Sequence, residues 1–302
     1  MKIVAIMPAR NEDWVLGLSA RALLRWVDEL VILDHCSTDG SLGEVMRLTM
    51  EFRGRVFWIV EQDPIWEEMR HRQRLLDGAR KREATHVVTI DADEVVSANL
   101  VPHMRDIVAD IPPGHVLQLP WITCRDSIYQ QHRPGSGEIW AQQHASAAFV
   151  DDPRFHWQQR NGYDFHQRAP MGLPERPFQP VKHVGGGILH LQYSIRRRLL
   201  WKQYLYCLTE KLRWPGREPV SEIRKRYAWS VYGAPTRPES GVPSFDLCEV
   251  PAEWWEGYAD LMKYLHLDAE PWQRAECLKI LRENPGIGED LDDFGLLSGE
   301  VA

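Results

Sequence analysis

The chain has little of what usually marks a protein out by composition. Its five cysteines are scattered at Cys36, Cys124, Cys207, Cys248 and Cys277. No two stand in Cys-x-x-Cys spacing, which excludes a zinc knuckle and a disulfide framework and leaves reduced thiols as the expectation. No apolar run approaches the roughly 18–20 residues of a membrane span, so no transmembrane segment is expected. The apolar run over residues 2–7 stops at Pro8, too short for the core of a signal peptide, and a cytoplasmic location is expected. Positive charge is not in excess. A net charge of −7 argues against a general nucleic-acid binder. There is no internal repeat and no long linker.

What is there is ordinary for a globular protein: 302 residues, 44% hydrophobic and 26% charged, enough to bury a sizeable core. The first half alternates short apolar runs with amphipathic ones. Strands are expected at 2–7, 30–33, 56–60 and 86–90, and helices at 14–30, 42–52 and 67–83. This order implies right-handed crossovers and a largely parallel sheet. Each strand is followed by a polar cluster: Pro8, Ala9, Arg10, Asn11 and Glu12; then Asp34 to Ser41; then Glu61, Gln62 and Asp63; then Asp91, Ala92, Asp93 and Glu94. In an open α/β sheet, ligands bind at the carboxyl ends of the strands, and all four clusters fall on that edge. Beyond residue 100 the pattern loosens. Strands are expected at 116–119, 145–150 and 188–192, helices at 194–212, 252–265 and 272–284, a mixed stretch at 214–250 and an acidic end.

Asp91 and Asp93 carry the most chemistry. At the end of a strand, residues two apart face the same way, so both carboxylates can be aimed at one point. Two hard oxygen donors suit Mg²⁺ or Mn²⁺, a site usually completed by substrate phosphates.

Three segments together, Met7-Pro8-Ala9-Arg10-Asn11-Glu12, Val31 to Ser41 and Ile90-Asp91-Ala92-Asp93-Glu94, resemble in order and spacing the N-terminal half of family 2 glycosyltransferases with the GT-A fold. The resemblance is strong over about residues 1–100 and weak over about 100–210. It implies a Rossmann-like, mostly parallel sheet flanked by helices over residues 1–212, with a mainly helical extension over 213–302. It implies a metal-dependent enzyme that moves a sugar from a nucleoside-diphosphate-sugar donor to an acceptor such as a glycan, a lipid-linked sugar or a small molecule, with inversion.

By the same resemblance, the loops Pro8, Ala9, Arg10, Asn11, Glu12 and Asp34 to Asp39 hold base and ribose. His35 and Cys36 depart from the usual pattern there. Arg74 approaches the nucleotide, with Arg72 as rival. Asp93 is the direct ligand of Mn²⁺ or Mg²⁺, Asp91 and Ala92 lie at the ribose or a metal-bound water, and His190 is a further ligand. Arg196 and Lys202 offer positive charge to the diphosphate. An inverting transferase also needs a proton acceptor; Asp164 is preferred, with His166 and Asp152 as alternatives. Trp121, Trp140, Trp157 and Tyr163 are candidate sugar platforms.

Two other readings remain open. One is a degenerate transferase-like domain that binds nucleotide or a partner protein without turnover. The other is a phosphatase resembling the haloacid-dehalogenase superfamily. Asp91-Ala92-Asp93-Glu94-Val95 fits its first motif, but residues 124–150 lack the lysine it requires.

Overall fold

The computed structural model describes residues 1–160, 167–174, 176–179 and 185–298. The first half folds as β1 (Ile3–Ala9), α1 (Leu16–Leu23), β2 (Glu29–His35), α2 (Ser41–Glu51), β3 (Val56–Glu61), α3 (Glu68–Lys81) and β4 (His86–Thr89). Then come β5 (Glu94–Val96), α4 (Met104–Ala109), β6 (His115–Thr123), β7 (Gln130–His132), β8 (His144–Val150), β9 (Arg176–Phe178) and β10 (Ile188–His190). The chain continues through α5 (Arg196–Arg213), α6 (Val220–Tyr232), β11 (Leu247–Glu249), α7 (Glu253–Glu256) and α8 (Trp272–Glu283).

Among the described residues the main sheet runs β3-β2-β1-β4-β8-β6-β10-β5, with β9 beside β6. The first four strands are parallel, β1 pairing with both β2 and β4. β8 then runs antiparallel to β4 and to β6, so the sheet is mixed. This is the α/β arrangement that the GT-A resemblance implies. Alternation along β1 builds both faces. Ile3, Ala5, Met7 and Ala9 pack with Leu16, Ala20, Leu23, Val45 and Leu48 from α1 and α2. Val4 and Ile6 pack with Met69, Leu75, Leu76 and Ala79 from α3. Buried on both faces, these strands are continuous apolar runs rather than alternating ones.

The described residues divide into two compact units that interleave along the chain: 1–122, 142–190 and 250–267 in one, and 123–141, 191–249 and 268 onward in the other. The expected boundary after residue 212 falls at the end of α5, a helix of the second unit. That unit has its own core, where Leu200, Trp201, Tyr204 and Leu208 of α5 meet Ile223, Val231 and Tyr232 of α6 and Cys277 and Ile280 of α8.

Two expected helices are shorter than the apolar pattern suggested. The helix expected at 14–30 ends at Leu23. The chain then turns, and the Asp28 carboxylate accepts the Ile3 N–H at 2.7 Å, starting β2 at Glu29. The helix expected at 252–265 is only the four residues of α7 followed by turns. Tyr258 donates its hydroxyl to the Val96 carbonyl at 2.6 Å, and Tyr264 lies 3.6 Å under the Arg21 guanidinium. These side-chain anchors, not helical periodicity, spaced the apolar residues.

Candidate active site at the carboxyl edge of the sheet

Strand β4 ends at Thr89, and Ala92 and Asp93 form a turn before β5. The two carboxylates are therefore not related by strand parity, and they do different work. Asp91, partly exposed, is gripped from both sides: Oδ1 accepts from Arg72 at 3.1 Å and Oδ2 from Arg168 at 3.2 Å. Burial would raise its pKa, but the two guanidiniums hold it below the usual carboxylate range. Asp93, 8% exposed, points elsewhere: its Oδ2 lies 3.7 Å from His190 Nε2.

His190 reaches this point because the chain before it is glycine. A Cβ on Gly186 would stand 2.2 Å from Ser97 Oγ, and one on Gly187 would stand 2.2 Å from the Pro120 carbonyl. Gly186 also has φ +85, the left-handed region. The Ser97 N–H donates to the Gly187 carbonyl and the Gly187 N–H to Ser97 Oγ, which pins β10 against β5 with His190 opposite Glu94. The imidazole stacks on Trp121, ring centres 4.6 Å apart and planes 16° apart.

Beneath these groups lies Glu94, fully buried. Its Oε2 accepts the Asp91 N–H at 2.9 Å and its Oε1 accepts from Trp121 Nε1 at 2.8 Å. Desolvation pushes the Glu94 carboxyl up. Arg168 offsets the buried charge: it donates to Glu94 at 2.7 and 2.9 Å, to the Thr89 carbonyl at 2.8 Å and to the Ser146 carbonyl at 3.1 Å. Burial acts to lower the Arg168 pKa, but Glu94 and Asp91 together raise it. Arg72 completes the floor with a 2.9 Å bond to Glu68.

Asp93 and His190 suit a divalent cation. Two donor atoms each about 2.1 Å from one ion stand roughly 3–4 Å apart, which brackets the observed 3.7 Å. Among the described residues no third His, Cys, Asp or Glu completes a cluster. An ion held by such a pair would have to draw its other ligands from water or a ligand's oxygens. Asp91, with both oxygens engaged by arginine, is a partner of the floor instead.

At the neighbouring strand ends the loops close on one another. Asn11, in a left-handed conformation at φ +56, accepts the N–H groups of Thr38 and Asp39 at 2.6 and 3.2 Å through Oδ1. Its own N–H donates to Ser37 Oγ, and the Glu12 N–H donates to Ser41 Oγ. Asp39 accepts from Ser41 and Asp13. Asp34 is buried, with one oxygen accepting from the Ser37 N–H. Pro8 and Ala9 close β1, and Arg10 Nη1 lies 3.4 Å from His35 Nδ1.

His35 was an unexplained departure in the sequence. Here its Nε2 donates to the Asp63 carbonyl at 2.9 Å, and its ring packs 5.1 Å from Trp66 and 4.6 Å from His71. Both histidines are fully buried. Burial, then the charge of Arg10, lowers the His35 pKa. Burial and the neighbouring His35 take His71 down to about 4.

The other expected site residues lie elsewhere. Arg74 pairs with Glu61, and its rival Arg72 reaches the acidic motif. Asp152 is at the opposite edge of the sheet, because Val150 pairs with His86 at the start of β4. It is bound to Arg154, whose guanidinium and N–H take its carboxyl down to about 2. Trp157 is a core residue against Phe149. Asp164, His166 and Tyr163 lie outside the described residues. In the second unit, Arg196 donates to the Gly241 carbonyl, Lys202 to Gln192 Oε1, and Trp140 packs on His132. Arg168 carried no signal in the sequence, being one of four arginines between residues 154 and 180 with nothing to set it apart. Glu94 was visible, next to the motif it supports.

No family model matches the chain, and no curated protein matches it. Among solved structures, the chain is similar to residues 1–349 of TarS from S. aureus, also solved with UDP. Identity is 11%, the TM-score 0.44, and the match covers 93% of this chain and 89% of that one. It is similar to GalNAc-T7 solved with UDP, GalNAc and Mn²⁺ at 12% identity and a TM-score of 0.39, over 78% of this chain and 55% of that one. It is also similar to glucosyl-3-phosphoglycerate synthase from Mycobacterium tuberculosis solved with Mn²⁺, UDP and phosphoglyceric acid. There identity is 18% and the TM-score 0.29, over 40% of this chain and 43% of that one.

Proposed function

We propose that the chain is a metal-dependent glycosyltransferase that moves a sugar from a nucleoside-diphosphate-sugar donor to an acceptor hydroxyl, with inversion. The observation that carries this reading is the pair of Asp93 Oδ2 and His190 Nε2, 3.7 Å apart on the edge where the parallel strands open. Asp93 and His190 would hold Mn²⁺ or Mg²⁺, which stabilises the charge that develops on a departing diphosphate. The chain's own part is orientation. Trp121 fixes the imidazole plane, Glu94 and Arg168 fix the turn that presents Asp93, and the interlocked Asn11 and Asp39 loops give a rigid edge for base and ribose. Arg72 and Arg168 keep Asp91 ionised, so the floor beneath the donor stays charged and ordered.

A second reading, a transferase-like domain that binds nucleotide without turnover, is favoured by the engagement of both Asp91 oxygens by arginine. One experiment separates the two. Melting temperature is followed with UDP, GDP, dTDP and CMP, with and without Mn²⁺, on wild type and Asp93→Ala, beside hydrolysis of the matching nucleotide sugar. A ligand that binds the native state stabilises it by mass action. We expect one nucleoside diphosphate to stabilise wild type only with metal, Asp93→Ala to lose the effect, and the donor to be hydrolysed slowly. Stabilisation with no hydrolysis or transfer leaves the binding domain. No stabilisation by any nucleotide sinks both.

A further inference from the structure

Among the described residues, no carboxylate forms an ion pair with one buried cation of the second compact unit. Arg125, just after β6, is fully buried. Its Nε donates to His132 Nε2 at 3.1 Å and its Nη2 to the Ser230 carbonyl at 2.9 Å. The guanidinium lies 3.8 Å from the centre of the Phe245 ring and 4.9 Å from that of Tyr193. Its Nη1 is buried and makes no hydrogen bond. Glu138 is one step removed: it accepts from His132 Nδ1 at 2.6 Å. Asp126 adds charge from the same segment but is exposed.

A second arginine stands beside it. The Asp126 N–H donates to the Tyr193 carbonyl at 2.9 Å, which brings the Arg125 segment to the start of α5. Arg196 is the first residue of that helix, and its Nη1 is likewise buried without a hydrogen bond. Desolvation takes the Arg125 pKa down to about 10 against the pull of Tyr193 and Asp126, with a smaller like-charge repulsion from Arg196. Among the described residues no carboxylate forms an ion pair with either arginine. The helix start adds to the imbalance. Ile195 provides no side-chain capping bond and the first turn of this 18-residue helix holds no acid, only Arg196, Arg198 and Arg197, the last paired with Glu270 at 2.8 Å. Fixed positive charge with unsatisfied N–H groups is the makeup of an anion site, and burying a charge is costly unless it is paired.

We propose that Arg125, Arg196 and the N-terminus of α5 form a site for an oxyanion, a phosphate or carboxylate group carried by a ligand. Planar guanidiniums suit both groups, and Phe245 and Tyr193 keep Arg125 in plane. His132 and Glu138 position Arg125 from behind.

The probes are inorganic phosphate and pyrophosphate, titrated in EDTA against chloride at matched ionic strength. Binding is followed by melting temperature and calorimetry on the full chain. Wild type and Asp93→Ala should both show saturable stabilisation, since this site needs neither metal nor Asp93. Arg196→Gln, at a partly exposed position, should bind at least roughly tenfold more weakly, the loss of one charge-assisted contact. Arg125→Lys, which keeps the charge but loses the planar fork, should weaken binding too, with circular dichroism confirming that it folds. Competition by UDP without metal would identify the anion as the donor's diphosphate, whereas independent binding of the two would identify a separate phosphate- or carboxylate-bearing ligand. No saturable binding, or equal binding in both arginine variants, overturns the proposal. Because Asp93→Ala and EDTA abolish only the metal-dependent effect, failure here is distinguishable from failure of the transferase reading.

Discussion

Asp91 and Asp93 read alike in the sequence and differ in the structure because two arginines, Arg72 and Arg168, grip Asp91. Arg168 donates to Asp91, Glu94, Thr89 and Ser146, and so ties the turn, the strand before it and β8 into one floor. Replacing it by Leu leaves the Glu94 carboxylate buried and unpaired, the costly case for an ionised group. Urea unfolding should show Arg168→Leu destabilised by about 3–5 kcal/mol. Pairing it with Glu94→Gln should recover a good part of that, because the uncompensated charge is then gone. If the double variant is no more stable than the single one, packing rather than charge explains Arg168. Asp93→Asn, which keeps the shape and loses the charge, should remove the metal-dependent response. The motif was legible because chain order alone brings Asp91, Asp93 and Glu94 to a strand end. Arg168 was not, because its role depends on a contact spanning 74 residues to Glu94, and a single sequence contains no trace of that.

Elements were legible where burial is two-sided or periodic. β1 is an unbroken apolar run, β2 and β4 have apolar centres (30–33 and 87–88), and α2 and α3 carry clear apolar stripes. The stretch over 220–232 was read as mixed because prolines and glycines surround it. They are in fact its boundaries: Pro219 precedes α6, and Gly233, at φ +67, ends it. Gly185, Gly186 and Gly187 stand just before β10, and the sequence alone gives no reason for them. Contact with Pro120 and Ser97 supplies the reason for two of them and a prediction. Gly187→Ala should destabilise by about 1–3 kcal/mol, the usual cost of forced overpacking, because the added Cβ meets a backbone carbonyl that cannot swing away. Gly185→Ala meets nothing within 4 Å and should lose only the roughly 1–2 kcal/mol of a left-handed conformation. Chemical denaturation of both variants checks the order. The metal-dependent melting shift should fall in Gly187→Ala, which moves the strand that carries His190, and persist in Gly185→Ala.

For the molecule as a whole, what could not be read was the partition. Two units that interleave are defined by contacts between distant segments, and no break in composition marks residues 122, 142, 190 or 250. The buried histidines are similarly invisible: His35 and His71 sit 36 residues apart in polar surroundings, and only the fold puts their rings together under Trp66. They should govern how global stability depends on pH. His71 titrates near 6.5 when unfolded and about 4 when folded, held neutral by burial, by His35 and by Arg70 and Arg74 against the opposing pull of Glu61. A depressed folded value stabilises the native state fully above the unfolded value, and that contribution drains away as pH falls toward the folded one. The difference corresponds to roughly 3 kcal/mol at 1.36 kcal/mol per unit. His35 and His132, also depressed, act in the same direction. Unfolding free energy measured from pH 7.5 down to about 4 should therefore fall steeply below about 6.5 in wild type. His71→Phe keeps an aromatic ring against His35 and Trp66 and removes one titrating group. Its curve should be flatter over that interval, crossing the wild-type curve or approaching it as the pH drops. A parallel curve, offset by a constant amount at every pH, would mean that His71 contributes packing alone.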